Sequence, residues 1–159
     1  MSAVLTSPSV ERVRDALARA GLKPAIVELP GAARTAKAAA EYLGCEVAQI
    51  ANSLVFRAET SDSALLVMSS GAKRVDVARL AALVGEPVGK ADADFVRSQT
   101  GFAIGGVPPV GHTVPRTFVE RSLAAYRELW AAAGHPHTVF RLSYSELVRI
   151  TGGAEADLA

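Results

Sequence analysis

Two apolar runs of strand length, Ile50 to Phe56 and Ala64 to Ser69, constrain the fold of this chain most strongly. The polar stretch Glu59-Thr60-Ser61-Asp62-Ser63 lies between them, so the pattern predicts an antiparallel hairpin. Helical patterns flank the hairpin, which favours a mixed sheet surrounded by helices over a purely parallel, doubly wound sheet. We therefore expect a mixed α/β fold of the α+β class, with residues 1–159 forming one domain.

Capping residues and glycines predict the remaining elements. Five helices are expected to begin at the caps Ser7, Thr35, Asp76, Asp92 and Ser143, and to end near Gly21, Leu43, Leu83, Thr100 and Ile150. Further strands are expected over Ala25 to Leu29, Thr117 to Glu120 and Thr138 to Leu142. The segment from Ser122 to Ala133 fits a helix or a strand equally well.

The overall charge gives no general attraction to nucleic acid. With 17 Lys and Arg against 16 Asp and Glu, the net charge is +1, so DNA is not an expected partner and RNA contact requires a local patch. Cys45 is the single cysteine, which excludes an internal disulfide and a cysteine cluster for zinc. No run approaches the roughly 18 apolar residues of a membrane span and no secretion signal is recognisable, so we expect a cytoplasmic protein without a membrane partner.

The segment from Thr100 to His112, here called the glycine loop, is typical of a binding loop. It contains four glycines together with Pro108 and Pro109, which fix their own backbone and extend the residues before them. Such a loop can aim several N–H groups at an anion or a developing oxyanion. A simple tight turn is an equally valid interpretation, and no Lys-Ser/Thr pair follows to make a nucleotide phosphate loop.

Two groups of basic residues invite a functional interpretation. Lys73 and Arg74 follow Ser70 and Gly71 at the end of a predicted strand, which suits either a phosphate clamp or a solvated surface. His112 could bind substrate or act as an acid or base, or it could simply cap a turn. His135 and His137 lack a third ligand in the sequence, so no metal site is expected there.

Five sequence blocks follow one another over nearly the whole chain: Arg34-Thr35-Ala36-Lys37, Gln49-Ile50-Ala51-Asn52-Ser53-Leu54-Val55-Phe56, Ser70-Gly71-Ala72-Lys73-Arg74-Val75-Asp76, the glycine loop, and Trp130-Ala131-Ala132-Ala133-Gly134. In these blocks the chain resembles the YbaK/ProX family, free-standing relatives of the editing domain inserted in bacterial prolyl-tRNA synthetases. The resemblance implies a mixed, partly barrel-shaped β-sheet surrounded by helices. It also implies hydrolysis of the ester between a wrong amino acid and its tRNA, with no cofactor.

The resemblance extends to individual site residues. The implied catalytic residues are Asn52, Gly105 and Gly106. The implied substrate-binding residues are Thr35, Ser53, Ser70, Gly71, Gly101, Ile104, Pro108 and His112, and the implied RNA-binding residues are Lys73 and Arg74. The family usually has a lysine before Ser/Thr-Leu in the strand block, whereas this chain has Asn52, which keeps a hydrogen-bond donor and an acceptor but no cation.

These observations predict an aminoacyl-tRNA deacylase that acts in trans after a synthetase has mischarged a tRNA. Its expected partner is the acceptor end of aminoacyl-tRNA, and a synthetase is a further candidate. Two alternatives stay open. The first is a non-catalytic module that binds tRNA ends or a synthetase, which the loss of the lysine favours. The second is a small-molecule or nucleotide-binding protein that uses the glycine loop, for which the sequence has no suitably spaced phosphate-loop lysine or ribose-binding acid.

Overall fold

The computed structural model describes residues 3–31, 33 and 35–159, so Arg34 of the first block lies outside the described residues. The helices are α1 (Pro8–Arg19), α2 (Ala36–Leu43), α3 (Val77–Val84), α4 (Ala93–Thr100) and α5 (Tyr144–Thr151). The strands are β1 (Ile26–Glu28), β2 (Ile50–Ala58), β3 (Ser63–Ser70), β4 (Val88–Lys90), β5 (Arg116–Glu120), β6 (Leu129–Ala132), β7 (Thr138–Leu142) and β8 (Ala154–Ala156). Two 3-10 turns cover Val47–Gln49 and Arg121–Ala125.

Each α-helix begins directly after its predicted capping residue. The side chains that accept a backbone N–H from the first turn are those of Ser7, Thr35, Asp76, Asp92 and Ser143. Ser143 and Glu146 form a capping box at the start of α5, because the Ser143 N–H also donates to the Glu146 carboxylate at 2.8 Å. Left-handed glycines end four of the five helices in the described residues. None of the helices in the described ranges is both long and apolar enough to cross a bilayer.

The strands form one mixed sheet, and the predicted hairpin lies at its centre. The strand order is β1-β7-β6-β2-β3-β5-β8, and the short β4 also pairs with β2. β2 and β3 are antiparallel, whereas β2 with β6, β3 with β5 and β5 with β8 are parallel. The expected mixed α/β fold is thus confirmed. β1 and β8 form separate edges, so the sheet is not closed into a barrel.

The ambiguous segment from Ser122 to Ala133 contains both a turn and a strand. Its first part lies in the 3-10 turn Arg121–Ala125, and its last part forms β6, which pairs with the start of β2 through Trp130 and Ala131. This pairing places Trp130 opposite Ile50, close to the centre of the sheet.

The main core holds the glycine loop in position at two of its residues. Phe102 and Val107 are each only 1% exposed, and they belong to the cluster that α1 contributes to through Val13 and Leu17. The Thr100 hydroxyl accepts the Phe102 N–H at 3.0 Å. The core therefore anchors the loop at Phe102 and Val107, while Ile104 and Gly105 between them are exposed.

Candidate active site

A cleft of about 360 Å³ lies where α2, β2, the glycine loop and the β6–β7 region meet. Its wall includes five of the predicted site residues: Thr35, Asn52, Ser53, Ile104 and Gly105. These residues come from three segments that are far apart in the sequence. The volume is at the small end of the range for ligand pockets, which suits a small group rather than a whole nucleotide.

The cleft opens at a gap in the sheet along one edge of β2. On that edge β6 pairs only with Ile50 and Ala51, and β4 pairs only with residues 56–58. Residues 52–55 pair with β3 on the other edge, but among the described strands none pairs with them on the cleft side. All four border the cleft. A backbone edge in the middle of the sheet is thus left accessible to a ligand.

Asn52 lies at the beginning of this gap, directly opposite Ser69 on β3. Directly opposed residues share a face, so the two polar side chains are neighbours. Ser69 is 1% exposed, and its hydroxyl has no hydrogen-bond partner in the described structure. The pairing of Ser69 with Asn52 depends on the strand register and was not part of the predicted site.

The two adjacent glycines of the loop have different roles. Gly105 has a φ of +85°, borders the cleft, and its N–H has no protein partner in the part of the chain that the structure describes. The Gly106 N–H instead donates to the Ala103 carbonyl at 2.9 Å. A turn within the loop thus already uses the Gly106 donor, so of these two amides only that of Gly105 lacks a described partner, and the catalytic role implied for both glycines stays a prediction.

Gly106 also allows a close backbone contact. A Cβ at this position would lie 2.8 Å from the His135 carbonyl carbon and 2.9 Å from the Pro136 nitrogen. Thr138 supports this contact, because its hydroxyl donates to the His135 carbonyl at 3.0 Å and accepts the His135 N–H at 3.2 Å. At Gly105, by contrast, a Cβ would meet only the Pro136 ring at 3.7 Å. Gly106 thus allows the glycine loop to pack directly against the backbone of His135 and Pro136.

The other predicted substrate-binding residues do not border the cleft: Ser70, Gly71, Gly101, Pro108 and His112. Gly101 ends α4 with a φ of +81°, and its carbonyl accepts Arg12 at 2.8 Å. Pro108 is buried beside the anchored Val107. Direct contact of these residues with a substrate stays a prediction, whereas their structural roles are visible.

His112 closes a turn. Its Nδ1 accepts the Val114 N–H at 3.1 Å, which assigns the ring a local hydrogen-bonding role. Burial lowers the pKa of His112 below its usual value, and the Pro109 carbonyl partly opposes this effect. The ring is therefore neutral near pH 7, and a direct acid–base role would require it to reach a cleft that it does not line.

Ser70 and Gly71 connect the predicted cations to the cleft. The Gly71 N–H donates to the Ile50 carbonyl at 2.8 Å, and a Cβ on Gly71 would lie 2.9 Å from the Ala36 Cβ. The segment therefore packs on the start of α2, which borders the cleft. Lys73 and Arg74 follow as exposed cations without an ion pair to any described residue. Their contact with RNA stays a prediction.

The described wall of the cleft is electrically neutral. Its polar side chains are those of Thr35, Asn52, Ser53 and Thr138, and no described lining residue is titratable. The sequence favours a core position for Trp130. Through its place in β6, Trp130 also borders the cleft. His135 and His137 have ring centres 5.5 Å apart, but the described residues contain no group of three metal-ligating side chains.

Comparison with known proteins gives this cleft a family context. A model of the aminoacyl-tRNA editing domain matches residues 31–150, which is most of the chain. The chain belongs to this editing-domain family. The matched range contains all the predicted site residues and the whole described wall of the cleft except Leu29. The family that the sequence blocks indicated is thereby confirmed.

Relatives of this editing domain include a curated protein and solved structures. YwhH of Bacillus subtilis (strain 168), an uncharacterized protein, is 30% identical over 124 residues, or 77% of this chain and 78% of YwhH. A crystal structure described as that of a candidate trans-editing enzyme for prolyl-tRNA synthetase is 47% identical with a TM-score of 0.89, over 96% and 97% of the two chains. A scaffold protein used for epitope backbone grafting has the same TM-score at 45% identity over the same shares.

Proposed function

We propose that this editing domain hydrolyses the ester of mischarged aminoacyl-tRNA in trans. The observation that carries the proposal is the meeting of the open Gly105 amide with Asn52 in one small cleft, in a chain of the editing-domain family. The biological logic is a second sieve, because a synthetase pocket cannot strongly reject a smaller or nearly isosteric amino acid. A second pocket then hydrolyses what fits into it.

The reaction needs little from the protein, because an aminoacyl ester is already activated. Water adds to the ester carbonyl, the carbonyl oxygen becomes an oxyanion, and the bond to the ribose oxygen then breaks. The ribose oxygen takes up the proton that the water gives up, and the products are a free amino acid and deacylated tRNA. The Gly105 N–H is the proposed oxyanion donor, and one such donor is worth about 10²–10³ in rate.

The neutral wall of the cleft determines how protons move in this proposal. No described lining side chain can act as general acid or base near neutral pH. The terminal ribose hydroxyl of the tRNA is therefore the proposed carrier of the proton between the attacking water and the leaving oxygen. Asn52 orients the substrate with its amide, and Lys73 and Arg74 contribute positive charge toward tRNA phosphates outside the cleft.

A specific observation favours a second candidate, a non-catalytic module that binds tRNA ends or a synthetase. The position at which the family usually carries a lysine is Asn52, and the described wall of the cleft supplies no other cation. If charge at this point is needed for the chemical step, the cleft binds an aminoacyl end without cleaving it.

A panel of mischarged tRNAs tests the two candidates. Each tRNA is incubated with the purified protein, released amino acid is measured, and binding of the same tRNA is measured in parallel. Correctly charged tRNAs serve as the matched controls. We expect release from at least one mischarged tRNA and slower release from its correctly charged counterpart. Binding across the panel without release from any member would favour the non-catalytic module.

A further inference from the structure

The gap in the sheet exposes backbone groups with a defined direction. On the β3 side, the Ile50 carbonyl accepts the Gly71 N–H at 2.8 Å. On the opposite edge, the Glu59 N–H donates to the Pro87 carbonyl at 2.9 Å. Successive residues of an antiparallel strand direct their N–H and C=O groups to alternate edges. The pairing of β2 with β3 is uninterrupted from Ala51 to Ala58, so no bulge breaks this alternation.

The alternation assigns the backbone groups of Ser53 and Val55 to the cleft side. Both residues lie an even number of positions before Glu59, and both border the cleft. Asn52 and Leu54 have the opposite parity and direct their backbone groups toward β3. Ser53 and Val55 therefore present two N–H donors and two carbonyl acceptors to the cleft, here called the backbone slot.

The dimensions of the backbone slot exclude an added peptide strand. Residues 52–55 span about 13 Å at the usual rise of a strand. β6 closes one end at Ala51, and β4 closes the other at Phe56. A strand from another protein needs a continuous open edge, whereas a small molecule with a few polar atoms needs only these two residues. The slot therefore suits a compact polar group at the end of a larger ligand.

The neutrality of the cleft indicates which polar group of a ligand the backbone slot binds. An amino acid esterified to tRNA carries an α-ammonium group, and the described wall offers it no carboxylate. Its available acceptors are neutral oxygens, of which the Ser53 and Val55 carbonyls are fixed by the sheet. A charged donor also makes a stronger hydrogen bond to a carbonyl than a neutral donor does.

We propose that the main-chain carbonyls of Ser53 and Val55 bind the α-ammonium group of the aminoacyl ester. This inference rests on the proposed function for the identity of the substrate, but the open backbone slot itself does not. Because every amino acid has the α-amine, the slot holds the part that substrates share. The apolar wall of the cleft, including Trp130 and Ile50, then discriminates between the side chains of different aminoacyl groups.

The test uses a pair of non-hydrolysable probes, 3′-alanylamino-3′-deoxyadenosine and 3′-propanoylamino-3′-deoxyadenosine, which differ only in the α-amine. Amide exchange in the free protein is measured first. Ser53 and Val55 should exchange faster than Asn52 and Leu54, whose amides bond to β3. On titration, the carbonyl ¹³C resonances of Ser53 and Val55 should shift with the alanyl probe and not with the propanoyl probe. The propanoyl probe should bind at least about 10-fold more weakly.

Several results would overturn the inference. These are slow exchange of Ser53 and Val55 in the free protein, equal affinity for the two probes, or no binding of either probe at millimolar concentration. Deacylation of mischarged tRNA without amine-dependent carbonyl shifts would remove the slot and leave the proposed function standing. Amine-dependent shifts in a protein that releases no amino acid from the tRNA panel would support the backbone slot and remove the proposed function.

Discussion

Gly105→Val is the sharpest perturbation of the glycine loop, because the structure separates strain from steric clash at this position. A Cβ at Gly105 has its nearest contact at 3.7 Å, so the cost comes from the φ of +85°, which valine rarely adopts. This strain is worth about 1–3 kcal/mol, which lowers Tm by about 2–12 °C in a domain of this size. We expect the loop to relieve this strain by changing the backbone angles at Gly105, which displaces the proposed oxyanion donor. Deacylation should therefore fall about 10²–10³-fold, as expected for one lost oxyanion donor.

Gly85→Val is the matched control for this prediction. Gly85 ends α3 with a φ of +79°, a Cβ there meets nothing within 4 Å, and the residue does not border the cleft. Its stability loss should equal that of Gly105→Val within about 1 kcal/mol, while its rate stays at the parent value. Single-turnover deacylation and thermal unfolding of both variants are the measurements. Equal rates for the two variants would refute the oxyanion role of Gly105.

Two further predictions concern charge and pH. Converting both Lys73 and Arg74 to Ala should weaken tRNA binding and reduce the slope of log affinity against log salt by up to about two phosphate equivalents. The same double change at Arg19 and Lys23, two exposed cations elsewhere without an ion pair to any described residue, should reduce the slope less. For His112, the lowered pKa in the folded state means that the unfolded chain binds the proton more readily, so stability should fall as the pH drops below about 6.5. His112→Asn keeps a side-chain acceptor for the turn, and its urea-unfolding free energy should fall less steeply over this range; an unchanged slope would contradict the assignment.

The sequence predicted the elements with strong local signals. Capping side chains such as Thr35 and Asp92 act within one turn of their own helix, so their effect can be read without knowing the fold. β4 and β8 were not predicted, because Val88–Lys90 and Ala154–Ala156 contain no apolar run of strand length and their pairing depends on distant strands. β6 lies in the segment that was left open between helix and strand, because its apolar residues fit either element.

The sequence predicted individual residues of the candidate site but not the contacts between them. The sequence indicated Asn52 and Gly105, but the distinction between Gly105 and Gly106 depends on a turn and on contact with the His135–Pro136 backbone. That contact joins positions about 30 residues apart in the chain. The sequence could not predict the gap in the sheet either, because the gap results from where β4 and β6 stop pairing with β2.

Single-turnover deacylation of one mischarged tRNA by the parent, Asn52→Ala and Asn52→Lys tests the central claim most directly. Single-turnover conditions separate the chemical step from product release. The account predicts amino acid release by the parent, because the Gly105 amide and the ribose hydroxyl suffice, and slower release by Asn52→Ala, which loses the orienting amide. A parent without activity, together with an active Asn52→Lys variant, would contradict it and leave the non-catalytic module standing.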